Sequence, residues 1–169
     1  PRNLGAAAAR NTCIRAARGT WVAFQDSDDE WLPGKLEKQM ARLTAPEASY
    51  VAAYCGMLIV GGGDDDSGAE GAARPQMRYY PGPEMAGLDG DVLPALKCTS
   101  VLSTQTFVVR REILPRIGGF DEDLEVLEDW DCALRVAMCG PIAFVDEPLE
   151  IQRFSANSLP RGDRRRLES

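Results

Sequence analysis

The segment WVAFQDSDDEWLP, residues 21–33, sets an apolar run directly against a block of acid. Asp26, Asp28, Asp29 and Glu30 fall within five positions. The run at residues 21–24 reads as a short buried strand. The carboxylates cannot follow it into a core, because each resists ionising beside the others and buried charge is costly. The chain must therefore emerge at a sheet edge, where water or a cation offsets the repulsion. Open α/β sheets bind ligands in that crevice, outside the carboxyl ends of their strands.

The flanking pattern supports an α/β arrangement. Residues 4–18 read as a helix: Asn3 is placed to cap it, an alanine run favours it, and Gly19 stops it. After the acidic block, Pro33 suits a first helical turn, and Leu36, Met40 and Leu43 recur at helical spacing to about Thr44. Residues 50–60 read as a strand. Residues 61–90, rich in Gly, Asp and Pro, read as a long mobile loop. Residues 91–97 are expected as a short helix, 104–109 as a strand and 111–117 as a turn or two of helix. An amphipathic helix is expected over 128–139, then two strands at 142–145 and 149–153. Residues 154–169 read as a flexible basic tail, and no linker divides 1–153 into two domains.

Composition narrows the chemistry. The 169 residues contain no histidine, which excludes a Ser-His-Asp triad and a His-ligated zinc site. A metal site would be built of oxygen and would suit Mg²⁺, Mn²⁺ or Ca²⁺. The net charge of −7 argues against nucleic acid as a partner. Five cysteines with no CxxC point to free thiols in a reducing compartment.

Three readings of DSDDE compete. One is a solvated acidic turn. Another is a calcium loop with Asp26, Asp28, Glu30 and Glu37 at positions one, three, five and twelve, although Trp31 stands where that loop needs glycine. The third is an Asp-x-Asp site for a divalent cation that grips a diphosphate.

The third gains from what surrounds it. NLGAAAARN (residues 3–11), AARGTWVAFQDSDDEWLPGKLEKQ and GGFDEDLEVLEDWDCALRV occur in that order. The set resembles the family 2 inverting glycosyltransferases of the GT-A fold, over residues 3–153. The resemblance implies a GT-A-like mixed sheet flanked by helices. It also implies truncation at the N-terminus, since members carry further β/α elements before the N-x-G helix that hold the nucleotide base. A preceding segment or a second copy of the chain is expected to complete the fold, and the chain alone is expected to be impaired.

By the same resemblance, Asp28 ligates Mg²⁺ or Mn²⁺ and Asp26 assists. Asp129 is the catalytic base, and Asn3, Gly5, Arg10 and Arg135 lie on the donor side. Glu128 and Trp130 face the acceptor. The implied partners are a nucleotide sugar and a saccharide, lipid-linked or other hydroxyl acceptor. The expected location is the cytoplasm, with the inner membrane face as a second placement. Two other functions fit parts of the pattern. One is a haloacid-dehalogenase-like phosphatase, which also follows a strand with D-x-D but wants Thr or Val where Glu30 stands. The other is a degenerate domain that binds a sugar or partner without turnover.

Overall fold

The computed structural model describes residues 5–61 and 77–153. Asn3, residues 62–76 of the expected long loop and the expected tail 154–169 lie outside the described residues. The elements run α1 (Ala6–Ala16), β1 (Trp21–Ala23), β2 (Glu30–Trp31), α2 (Lys35–Leu43), β3 (Ala52–Val60) and β4 (Met77–Tyr80). Then follow α3 (Leu93–Leu96), β5 (Val108–Arg110), α4 (Ile113–Arg116), α5 (Glu128–Ala137) and β6 (Ile142–Arg153).

The sheet is mixed, in the order β1-β5-β3-β6-β2. β3 and β6 run parallel, and the other pairings are antiparallel. One edge of β3 is shared: β5 takes Ala52 and Ala53, and β4 takes residues 57–60. Side chains alternate across the sheet with the strand period of two. Ala52, Tyr54, Val109, Ile142 and Phe144 enter one core with residues of α1, α3, α4 and α5. Ala53, Val108 and Ala143 enter a smaller one beneath α2, around Leu43. Burying each branched side chain contributes about 1.5–3 kcal/mol. The two layers hold the end of β1 and the start of α5 against a common scaffold.

Several elements differ from the expectations. Residues 77–80, inside the expected loop, form β4, because pairing with β3 supplies order that composition does not show. Residues 104–106 form a 3-10 turn rather than the start of a strand. The two final strands are one: Asp146 and Glu147 bulge out where the register with β3 shifts, and pairing resumes at Pro148. Glu30 and Trp31 leave the acidic loop to pair with Ile151 and Glu150.

Candidate active site

Helix α1 brings Arg10 between the two acidic motifs. Its Nη2 donates to both carboxylate oxygens of Asp26, at 3.0 and 3.1 Å, and its Nη1 donates to Glu128 Oε1 at 2.7 Å. The guanidinium also lies over the Phe120 ring, 5.4 Å from its centre. Phe120 packs edge-on against Phe24, the residue after β1, at 5.3 Å. The Arg10 side chain is 16% exposed and that of Glu128 17%. Burial alone would lower the Arg10 pKa; the carboxylates of Asp26 and Glu128 outweigh it and raise it.

Glu128 and Asp129 open α5, whose first turn also holds Asp131. Acids there are favoured by the positive end of the helix dipole. Asp129 is half-buried, and its Oδ1 accepts the Trp130 amide at 2.8 Å. Burial, then the neighbouring Glu128, raises its pKa; the Trp130 amide and Arg10 oppose the rise. A carboxylate held this way is more basic than a free one, which suits a proton acceptor.

The acidic loop divides its carboxylates among different tasks. Asp26 is bound by Arg10. The exposed Asp28 makes no hydrogen bond or ion pair among the described residues. Asp29 accepts the Arg153 amide at 3.2 Å, and Glu30 pairs with the Arg153 guanidinium at 2.8 Å. Burial, with Asp28 and Asp26 nearby, pushes Asp29 up to about 6 against the effect of that amide bond. No three acid or thiol side chains gather into a metal cage among the described residues. Of the loop's carboxylates, Asp28 alone is unengaged among the described residues, so it is the one that would offer an oxygen to a hard cation.

The remaining sequence-derived candidates are also placed. Gly5 precedes α1 with φ 92, and its carbonyl accepts the Ala9 amide. Trp130 donates its indole N–H to the Leu96 carbonyl at 2.8 Å and packs against the core. Arg135 pairs with Asp131 and donates to the carbonyls of Ile117 and Gly119. Its guanidinium braces the GGF turn against α5. Sequence reasoning did not find Glu150 and Lys35, both buried behind the loop. Burial, then Asp29, pushes Glu150 up to about 8, with Lys35 opposing. Burial also lowers the pKa of Lys35, whose ammonium donates to Gln39 and sits 4.2 Å from the centre of the Trp31 ring. The only sequence signal was Glu150 beside Leu149 in a β-period segment.

The sheet and its helices define a GT-A-like fold. The chain superposes on Staphylococcus aureus TarS 1–349, solved in complex with UDP, with a TM-score of 0.61 and 19% identity over 91% of this chain and 41% of that one. It also superposes on the mannosyltransferase PcManGT of Pyrobaculum calidifontis, solved with GDP-Man and Mn²⁺: TM-score 0.53, 23% identity, 93% of this chain and 38% of that one. In sequence, residues 1–83 match the model of glycosyl transferase family 2. An uncharacterized glycosyltransferase of Rickettsia prowazekii is 27% identical over 154 residues, 91% of this chain and 46% of that protein. The family match thus spans just under half of the chain, and the rest of the described chain continues the same GT-A-like sheet. The chain spans less than half the length of the curated relative just given. No helix among the described residues is long and apolar enough to cross a membrane.

Proposed function

We propose that the chain carries the catalytic edge of an inverting glycosyltransferase that moves a sugar from a nucleoside-diphosphate donor to an acceptor hydroxyl. The observation that supports this is the Arg10 bridge, which ties Asp26, two residues before Asp28, to Glu128, the residue before Asp129. Asp129 takes the proton of the acceptor hydroxyl as its oxygen bonds to the anomeric carbon. The carbon–oxygen bond to the diphosphate breaks on the opposite face, its electron pair leaves with phosphate, and the configuration inverts. Asp28 would hold Mg²⁺ or Mn²⁺, which supplies positive charge to the leaving diphosphate. Glu128, fixed by Arg10, keeps the base helix in place and borders the acceptor. The five free thiols suit a cytoplasmic setting, where nucleotide sugars are made.

The test is release of nucleoside diphosphate from a panel of sugar nucleotides with mixed hydroxyl acceptors. Asp129→Asn keeps the shape and removes the proton acceptor, so turnover should fall by about 10²–10⁴. Unchanged turnover in that variant would move the base elsewhere. Retained anomeric configuration in the product would end the single-displacement reading.

A further inference from the structure

Asp26 and Asp28 share one motif but not one environment. Both Asp26 oxygens are engaged by a single guanidinium nitrogen at 3.0 and 3.1 Å, a charge-assisted contact of the strong kind. Arg10 is itself fixed on three sides: by Asp26, by Glu128 and by the face of Phe120. Phe120 is in turn held by Asn11, the next residue of α1, through two bonds of 2.8 Å. Arg10 therefore cannot swing out without giving up both carboxylates and the ring. Asp28, two residues beyond Asp26, faces solvent. A divalent ion at Asp26 would meet a guanidinium already in place, and the two positive charges would repel.

We propose that Arg10 is the resident cation of this acidic edge: it reserves Asp26 as a strut to Glu128 and leaves metal capture to Asp28 alone. The proposal rests on the reading that Asp28 holds the metal, and it deepens it. Arg10 is then a positioning residue. It fixes the distance between the loop that carries Asp28 and the helix that carries Asp129, and it offsets the repulsion between Asp26 and Glu128. Metal binding is weakened by the same contact that orders the site.

The experiment is Mn²⁺ binding, read by the electron-spin resonance of the free ion, on wild type, Arg10→Met, Arg10→Lys, Asp26→Asn and Asp28→Ala, each checked for native circular dichroism. Arg10→Met frees a carboxylate and removes a nearby positive charge, so Mn²⁺ should bind about tenfold more tightly. Arg10→Lys keeps the charge and should stay near wild type. Asp26→Asn should change affinity by no more than about threefold, and Asp28→Ala should abolish binding. A residue that merely supports the fold would weaken Mn²⁺ binding when replaced, so the sign of the Arg10→Met effect separates the roles. Asp26→Asn losing as much affinity as Asp28→Ala would overturn the division of labour. So would folded Arg10→Met binding no better than wild type. Asp28→Ala with full affinity would overturn both this inference and the metal assignment beneath it, whereas the other two results leave that assignment standing.

Discussion

The side chain of Asn11 and the backbone of Phe120 form a closed pair of hydrogen bonds. Asn11 Nδ2 donates to the Phe120 carbonyl and Asn11 Oδ1 accepts the Phe120 amide, both at 2.8 Å. The amide thus mimics a strand neighbour for a residue that has none, and Asn11 is only 8% exposed. Asn11→Ala leaves a buried donor and acceptor without partners. It should destabilise the protein by about 2–4 kcal/mol in urea unfolding. A loss under about 0.5 kcal/mol would show that water replaces the pair.

Gly119 makes that pair possible. Its φ is 71°, and a Cβ there would lie 2.4 Å from Asn11 Oδ1. Gly119→Ala should cost about 1–3 kcal/mol, from the left-handed backbone and from the displaced amide. The second part disappears once Asn11 is alanine. The double variant should therefore be less destabilised than the sum of the single variants, by about 0.5–1 kcal/mol. Strict additivity in a double-mutant cycle would remove the contact as a cause.

Leu127, the residue before α5, is the one non-glycine residue with positive φ among the described residues, at φ 66°. A leucine there is strained, and its side chain is 44% exposed, so burial offsets little of the cost. Asparagine tolerates this conformation. Leu127→Asn should stabilise the protein by about 0.5–1 kcal/mol, seen as a melting point about 2 °C higher. A lower melting point would mean that Leu127 holds a contact worth more than its strain.

What the sequence made legible follows from the range of the forces involved. β1, α2, β3 and α5 were readable because their apolar spacing is local. Asp26, Asp28, Glu128 and Asp129 were readable as motifs for the same reason. β4 was not, since residues 77–80 become a strand only by pairing with β3. The work of Arg10 was also hidden, because Asp26 lies 16 residues away and Glu128 118. A chain pattern gives no measure of that approach. Glu150 is the extreme case: the strand period around LEIQR places it in a sheet but does not say that its carboxyl is sealed from water.

Glu150 gives the last prediction. Its side chain is fully buried, neither of its oxygens has a hydrogen-bond partner among the described residues, and its carboxyl is pushed up to about 8. The folded protein then holds a proton that the unfolded chain releases above about pH 4.3. Between those values the native state binds more protons than the unfolded one, so stability falls as pH rises. The contribution is fully present below about pH 4.3 and is lost progressively towards pH 8, by an amount on the order of 3–5 kcal/mol. Asp29, raised to about 6, acts in the same direction over a lower window. Glu150→Gln removes the titration while keeping the shape. Its stability should match wild type near pH 4.5 and exceed it by several kcal/mol at pH 8, with the slope from Asp29 remaining below neutrality. Urea midpoints at half-unit pH steps would measure this. Parallel curves for the two proteins between pH 5 and pH 8 would show that Glu150 is ionised in the fold, with Lys35 as its counter-charge.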